Sequence, residues 1–238
     1  MDAGLADRAR ATGEATLRVY GWARPTLSFG RHEAVRVRFS AESLAREGVD
    51  AVRRPTGGRV LLHDGEVTYS VTAPADDSER LGEGFARINA LLLRALARLG
   101  VIAGEAPRDT ERPALRPGSD ACFASPSAGE IVVGHRKLVA SAQRRDAGAL
   151  LQHGSILLDD RQARIAAFAV APMTPAAPGA ALATLLGRAV EPAEVHRALR
   201  AALEDDVGPV DPLDPGEAAT LAAPHRAKFL DPEWTWRR

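Results

Sequence analysis

Apolar and polar residues alternate with a period of two in several parts of the first half of the chain, a pattern that predicts half-buried strands. The alternation is clearest at residues 17–20 and 35–39. Short apolar runs predict further strands at residues 49–53, 60–62, 67–72, 131–133, 138–142 and 155–158. Because many of these runs lie at hairpin spacing, we expect a largely antiparallel or mixed sheet.

Helical periodicity is strongest between residues 78 and 99. One helical face there carries six apolar residues, namely Leu81, Phe85, Ile88, Leu92, Leu96 and Leu99. Gly100 follows as a natural stop for this helix. Ser40 is a candidate N-cap for a shorter helix that ends near Gly48.

The chain becomes rich in alanine and helical in pattern from about residue 161 onward. Residues 214–217, Asp-Pro-Gly-Glu, resemble an N-cap, a first-turn proline and an acid at the third helical position. Residues 107–119 hold prolines and arginines and predict a loop, and residues 172–178 predict a short linker. Strands followed by helices predict an α+β fold, here one domain over residues 1–238 with a more helical C-terminal part.

Composition narrows the functional classes. The 238 residues include 31 basic and 31 acidic ones, a net charge of +0, which argues against strong non-specific nucleic-acid binding. No apolar run approaches the roughly 20 residues that span a bilayer, so we expect no membrane segment. The first residues lack the features of a signal peptide, and the single Cys122 excludes an intramolecular disulfide. These features predict a cytoplasmic protein.

Only two of the 31 basic residues are lysines, Lys137 and Lys228. In a chain that uses arginine so consistently, a retained lysine is a candidate for chemistry that needs an ammonium group. Chance retention is the alternative interpretation. Lys137 opens an apolar strand, whereas nothing around Lys228 indicates more than a surface position.

Residues 53–64 form the first segment that could carry chemistry. Gly57 and Gly58 lie between two predicted strands, where glycine lets a backbone approach a ligand and exposed N–H groups can hold an anion or carbonyl oxygen. Arg54 adds charge, Thr56 lies in the turn, and His63 adds a hydrogen-bond donor or a base. The alternative is an ordinary hairpin turn.

Two later segments offer a pocket for a slender ligand. Lys137 leads into the small residues Ser141 and Ala142, which leave room beside an ammonium group. His153 and Gly154 belong to a segment that can face the same pocket. The alternatives are a solvated lysine at a strand end and a structural histidine.

Cys122 follows a polar loop, which favours exposure and hence reactivity of its thiol over burial as a small apolar residue. The six histidines and one cysteine show no metal-ligand spacing, so no metal site is predicted.

Three segments together resemble the signatures of the lipoate–protein ligase, octanoyltransferase and biotin ligase superfamily, in the same order along the chain. Residues 53–63 resemble its Arg-Arg-Pro-Thr-Gly-Gly signature with a following histidine, residues 134–144 its lysine signature, and residues 152–159 its Gln-His-Gly-Ser signature. The resemblance implies the fold of this superfamily, a mixed and largely antiparallel sheet flanked by helices.

Cys122, fifteen residues before Lys137, is similar to the cysteine of the cysteine-dependent octanoyltransferases in this superfamily. That resemblance implies that Cys122 carries an octanoyl group as a thioester and that Lys137 lowers the pKa of the thiol. It implies substrate-binding roles for nine residues, namely Arg54, Thr56, Gly57, Gly58, His63, Ser141, Ala142, His153 and Gly154. It further implies octanoyl–acyl carrier protein as donor, and an apo lipoyl domain of a glycine cleavage H-protein or dehydrogenase E2 as acceptor, without a cofactor.

Three alternatives remain at this point. An ATP-dependent lipoate–protein ligase would need Mg-ATP, an amidotransferase would move lipoyl or octanoyl groups between carrier proteins, and a non-catalytic protein would only bind an acyl group. Two departures from the family pattern concern the pocket. Ala140 stands where ligases often have glycine, and the chain begins where the family's first helix is under way.

Overall fold

The computed structural model describes residues 1–75, 80–107, 121–124, 127–173 and 175–237. Within these ranges the strands are β1 (Thr16–Tyr20), β2 (Thr26–Phe29), β3 (Asp50–Arg53), β4 (Leu61–His63), β5 (Glu66–Pro74), β6 (Gly104–Glu105), β7 (Ile131–Val133), β8 (Arg136–Asp146) and β9 (Ala149–Leu157). The helices are α1 (Asp2–Thr12), α2 (Ala41–Arg46), α3 (Leu81–Arg98), α4 (Ile165–Phe168), α5 (Leu182–Leu186), α6 (Pro192–Val207), α7 (Pro215–Leu230) and α8 (Pro232–Trp236). Short 3-10 turns lie at Cys122–Ala124 and Gln162–Arg164.

The strands form two sheets. The larger sheet has the order β1-β5-β9-β8-β7-β6, and its pairs are antiparallel throughout. The smaller sheet has the order β3-β2-β4, with β2 parallel to β3 and antiparallel to β4. The predicted α+β class with a mixed, largely antiparallel arrangement is confirmed.

The larger apolar core contains residues of α3, α6 and the larger sheet. Ile88, Leu92 and Leu96 of α3 are buried there, together with Val139 of β8 and Leu199 of α6. Removing this apolar surface from water stabilises the fold by about 25 cal/mol per Å². The buried residues Ile88, Leu92 and Leu96 belong to the face that the helical periodicity predicted.

A second core lies around the smaller sheet. Phe29 of β2, Phe39, Leu62 of β4 and Ile165 of α4 are buried in it, and Trp236 of α8 packs against it. The C-terminal residues therefore reach back to the first third of the chain, where α8 contacts β3, the strand that leads into the segment with Gly57 and Gly58.

Helix ends follow the predicted caps. The Ser40 side chain accepts a hydrogen bond from the amide of Ser43 at the start of α2, and Gly48 after this helix has a left-handed φ of 67°. The Asp214 side chain accepts hydrogen bonds from two amides at the start of α7. Each cap satisfies amide groups that the first turn of a helix leaves without an intrahelical partner.

The predicted strand at residues 35–39 is wrong, because this segment is a turn. The amide of Phe39 donates at 2.9 Å to the carbonyl of Val35, four residues earlier, as in a turn of α-helix. This turn places the side chains of Val35 and Phe39 in the core. Strand β2 was not predicted: its four residues alternate polar and apolar, but the alternation is short, and all four side chains are buried. Of the predicted loop at residues 107–119, residues 108–119 lie outside the described ranges.

In the described ranges, no helix combines the length and apolar character that crossing a membrane requires.

Candidate active site

A cavity of about 630 Å³ lies where residues of both sheets, α1, α3 and α7 come together. Its volume falls within the roughly 300–1,000 Å³ of small-molecule sites. Its wall includes nine of the predicted site residues, namely Arg54, Gly58, His63, Cys122, Lys137, Ser141, Ala142, His153 and Gly154. The fold thus joins four separate sequence segments. Thr56 and Gly57 are not part of the wall, although both contact residues that are.

Cys122 is the first residue of the 3-10 turn Cys122–Ala124. Its amide donates to the carbonyl of Val60 at 2.8 Å, so the turn is tied to the residue that precedes β4. The half-buried side chain packs against a small apolar cluster that includes Leu61, Phe123 and Ala140. The thiol therefore lies at a cavity wall that is apolar on one side.

Lys137 is 2% exposed and occupies the second position of β8. Its Nζ donates to the carbonyl oxygen of Cys122 at 2.5 Å and pairs with a Glu130 carboxylate oxygen at 2.6 Å. The ammonium also lies 5.6 Å from the centroid of the Phe123 ring. These contacts exclude the alternative of a solvated lysine at a strand end.

Glu130 is a site residue that the sequence interpretation missed. It is 7% exposed, lines the cavity and accepts a hydrogen bond from the amide of Ser127 at 2.5 Å, in addition to its ion pair with Lys137. A buried charge needs such partners because isolation from water is costly. A single acid before a strand carries no sequence signal for this role.

Arg54 is a half-buried cation near the Cys122 turn. Its guanidinium donates to the carbonyls of Gly57, Ser28 and Arg59 at 3.1, 2.7 and 2.7 Å. The carbonyl of Val60, the next residue after Arg59, accepts the amide hydrogen bond of Cys122, so the guanidinium lies close to the cysteine turn.

Burial lowers the pKa of Arg54, while the negative charges of Cys122 and then Glu33 raise it. The guanidinium therefore shares its surroundings with the thiol as an electrostatic partner. Gly58 makes room for it. A Cβ atom there would lie 2.7 Å from Nη2 of Arg54, and the residue has a left-handed φ of 94°.

His153 links the cavity wall to the buried Thr56. Its Nε2 lies 2.6 Å from Oγ1 of Thr56, and its Nδ1 lies 3.5 Å from a carboxylate oxygen of Asp2. Burial lowers the pKa of His153, and Asp2 opposes that shift. Burial would raise the pKa of Asp2, but the hydrogen bond and charge of His153 and the nearby Arg18 bring it below its usual range.

His63 belongs to another buried network. Its ring stacks on Trp22 with centroids 4.2 Å apart, and its Nδ1 lies 3.2 Å from Oε1 of Glu66. Trp22 Nε1 donates to Thr68 Oγ1 at 2.8 Å, and Trp22 also lines the cavity. The ring of His63 is thereby fixed in one orientation at the wall.

The small residues of β8 and β9 leave part of the cavity open. Ser141 Oγ lies 2.7 Å from the Tyr69 hydroxyl, and burial raises the pKa of Tyr69 to about 12. At Gly154 a Cβ atom would lie 2.4 Å from the Ala140 carbonyl oxygen and 2.6 Å from the Tyr69 ring. Glycine is therefore required at position 154 for the close approach of the two strands.

Three other wall residues carried no sequence signal that marked them as site residues. Asp2 reaches His153 from α1, Phe85 projects from α3, and Phe229 lines the cavity from α7, 107 residues after Cys122 in the chain. Aromatic residues in helices usually serve a core, so periodicity alone does not single them out. Among the described residues, no group of three or more histidine, cysteine and acidic side chains is placed to hold a metal ion.

The family model described as lipoyl protein ligase A/B catalytic domain matches residues 1–204. Octanoyltransferase LipM of Kyrpidia tusciae is 39% identical over 241 residues, a match that covers 94% of this chain and 87% of that protein. Octanoyltransferase LipM of Geobacillus kaustophilus is 45% identical over 150 residues, which cover 60% of this chain and 54% of that protein.

Solved structures show the same fold at lower identity. A lipoate-protein ligase A bound with ATP has a TM-score of 0.75 and 21% identity, and the match covers 99% of this chain and 92% of that one. The bi-partite lipoate protein ligase of Thermoplasma acidophilum, described with its E2 lipoyl domain, has a TM-score of 0.73 and 19% identity, covering 99% and 90%.

Proposed function

The chain belongs to the family of lipoyl protein ligase A/B catalytic domains, and we propose that it is an octanoyltransferase that carries the acyl group on Cys122. The octanoyl specificity rests on the similarity to two octanoyltransferases, one of them matched over 94% of this chain. The observation that carries the role of Cys122 is the position of this sole cysteine in the cavity wall, with the Lys137 ammonium on its carbonyl oxygen and the Arg54 guanidinium nearby.

The reaction has two thioester-dependent steps. In the first, Sγ of Cys122 attacks the carbonyl carbon of the octanoyl thioester on acyl carrier protein. The carbon–sulfur bond to the donor breaks, and the donor thiol leaves with the proton that Cys122 gives up. In the second, the amine of an acceptor lysine attacks the Cys122 thioester, an amide forms, and the Cys122 thiol is regenerated with a proton from the amine.

No nucleotide is needed for this sequence of steps. Exchange between two thioesters is nearly isoenergetic, and an amide is more stable than the thioester it replaces. The reaction therefore proceeds without ATP, magnesium or another cofactor, in contrast to the ligase alternative.

Lys137 and Arg54 place positive charge near the Cys122 turn, and nearby cations activate a thiol as a nucleophile. Lys137 in addition holds the carbonyl of Cys122, which orients the turn that bears the nucleophile. Glu130 is a positioning residue that keeps the Lys137 ammonium beside this turn.

The octanoyl chain occupies the apolar part of the cavity. Leu61, Phe85 and Ala140 supply apolar wall, and Ser141, Ala142 and Gly154 leave space beside it. His63 lies at the same wall. Thr56 and Gly57 act through their neighbours, since Thr56 holds His153 and the Gly57 carbonyl holds Arg54.

The acceptor is the lysine of an apo lipoyl domain, such as that of a glycine cleavage H-protein or a dehydrogenase E2. The similar fold of a ligase described with its E2 lipoyl domain supports an acceptor of this kind. A nucleophilic thiol must stay reduced, so the reaction belongs in a reducing compartment such as the cytoplasm.

The test is the intact mass of the protein after mixing with octanoyl–acyl carrier protein in the absence of ATP. We expect one added octanoyl group that hydroxylamine removes and that Cys122→Ala abolishes. Addition of an apo lipoyl domain then transfers the group to the domain's lysine.

Two outcomes would contradict the proposal. Full octanoyl transfer by Cys122→Ser would remove the cysteine from the mechanism. An acyl adenylate and released pyrophosphate, formed only with ATP and lipoate, would make the protein a ligase.

A further inference from the structure

The C-terminal segment is fixed beside the cavity wall. Phe229 of α7 is part of the cavity wall. Arg53 Nε donates to the carbonyl of Thr235 at 3.0 Å, and Trp234 Nε1 donates back to the carbonyl of Arg53 at 2.8 Å. Arg53 directly precedes Arg54 in the chain, and both residues line the cavity. The last helices are therefore anchored to the segment that surrounds the Cys122 turn.

Lys228, the second of the two lysines in the chain, lies in the last turn of α7 and is exposed. Its Nζ lies 4.3 Å from the Trp234 ring centroid, and the guanidinium carbon of Arg237 lies 3.9 Å from the same centroid. An aromatic ring attracts cations through its quadrupole, so Trp234 organises two positive charges at this place.

The positive charges of two more arginines, Arg31 and Arg144, act on Lys228. Arg237 Nη2 donates to the carbonyl of Arg31 at 2.8 Å, and Arg144 Nη1 donates to the carbonyl of Pro55, a wall residue, at 3.4 Å. We call Arg31, Arg144, Lys228 and Arg237 the cationic rim.

The charge of the rim is dominated by its cations. Partial desolvation, followed by the positive charges of Arg31, Arg144 and Arg237, lowers the pKa of Lys228, and Asp146 is the acid that acts against this shift. Asp146 also pairs with Arg144. Like charges brought together raise the free energy of the folded protein, and a bound anion would relieve this repulsion.

We propose that the cationic rim binds the phosphodiester of the donor's phosphopantetheine arm while the octanoyl thioester lies at Cys122. This inference rests on the proposed function. The arm carries the acyl thioester at one end and a phosphodiester at the other. When the thioester lies inside the cavity, the phosphodiester therefore lies toward the cavity entrance. Arginine and lysine side chains are the usual ligands of such an anion.

The charge favours the donor over the acceptor as the partner of this surface. The acceptor presents a lysine ammonium, which the rim repels, whereas the phosphodiester is an anion. A donor held at the rim also blocks the mouth until its thiol leaves, which orders the two half-reactions.

The test compares three donors in the acylation of Cys122, measured as initial rates by intact mass. The donors are octanoyl–acyl carrier protein, octanoyl-4′-phosphopantetheine and octanoyl-pantetheine, and the last has no phosphate. The variant is Lys228→Gln combined with Arg144→Gln. The control is Arg226→Gln, because Arg226 is exposed on the same helix two residues away, roughly 200° around the helix axis.

For the double variant we expect kcat/KM to fall about tenfold with both phosphorylated donors and to stay within about twofold with octanoyl-pantetheine. Lys228→Arg with Arg144 intact should retain the original preference, and the control should match the unaltered protein.

Other results would overturn the inference. An equal loss of kcat/KM with all three donors would mean that the substitutions disturb the cavity and that the rim does not bind the phosphate. A loss of kcat/KM only with the carrier protein would mean that the rim binds carboxylates of that protein. A loss only in the transfer to the lipoyl domain would mean that the rim binds the acceptor. If the unaltered protein forms no Cys122 adduct with any donor, the proposed function fails before the rim is tested.

Discussion

Lys137 Nζ and the carbonyl oxygen of Cys122 are joined by a hydrogen bond of 2.5 Å, although the residues are 15 positions apart in the chain. The ammonium therefore fixes the backbone of the cysteine that we assign as the nucleophile. Its other partner is the carboxylate of Glu130 at 2.6 Å. Nucleophile, cation and acid thus form one connected unit at the cavity wall, in which Lys137 and Glu130 are buried.

Replacing Lys137 with methionine should affect both stability and rate. It leaves the Glu130 carboxylate buried without its cation, which costs about 3 kcal/mol of unfolding free energy. It also removes the hydrogen bond to Cys122, so acylation should slow on the order of 100-fold. Denaturant unfolding and rapid-quench mass measurements give the two quantities.

The double variant Lys137→Met with Glu130→Gln separates these effects. It should recover most of the lost stability because no unpaired charge remains, while acylation stays slow. Recovery of both quantities together would mean that Lys137 serves only to neutralise Glu130.

Replacing Arg54 with glutamine should slow the acylation of Cys122. The Arg54 guanidinium donates to the carbonyls of Gly57, Ser28 and Arg59, so its loss should loosen the segment beside the Cys122 turn and lower the initial rate of adduct formation about tenfold. Arg54→Lys should recover part of this rate, and Arg136→Gln serves as the control because Arg136 is an exposed residue next to Lys137. An unchanged acylation rate in Arg54→Gln would limit Arg54 to a role in folding.

Replacing Gly154 with alanine should destabilise the protein and narrow the cavity. The added methyl would meet the Ala140 carbonyl oxygen at 2.4 Å, so β8 and β9 must separate at a cost of about 1–3 kcal/mol. Melting temperature and KM for a series of acyl donors from six to ten carbons measure the two effects. Unchanged stability would show that the strands part without strain.

Stability should depend on pH through His153. Burial lowers its pKa, so the folded protein binds this proton less readily than the unfolded chain, where histidine has a pKa of about 6.5. The contribution is complete above that value and is lost as the pH falls below it toward the folded pKa. Its slope reaches at most about 1.4 kcal/mol per pH unit.

His153→Gln should therefore show a weaker fall of unfolding free energy below pH 6.5 than the unaltered protein. Denaturant unfolding at several pH values between 5 and 8 measures the difference. Parallel pH profiles would assign the acid sensitivity to other groups.

Local sequence determined much of the secondary structure of this protein. The Ser40 and Asp214 caps and the apolar face of α3 depend on residues within a few positions of each other, so the chain encodes them directly. The alternation at residues 35–39 predicts a strand, but the buried Val35 and Phe39 are equally compatible with a helical turn. Tertiary packing, which the alternation does not report, decided between them.

The order of the three signature segments was also visible in the sequence, and it led to the family. The arrangement of the site depended on tertiary structure instead. Glu130 meets Lys137 only because β7 and β8 pair as a hairpin. Arg54 beside the Cys122 turn and Phe229 of α7 in the cavity wall depend on contacts between residues far apart in the chain, which have no common periodicity. Such contacts are set by how the sheets and helices pack. The reactive groups could therefore be predicted from the sequence, whereas the charges that surround them were decided by the tertiary structure alone.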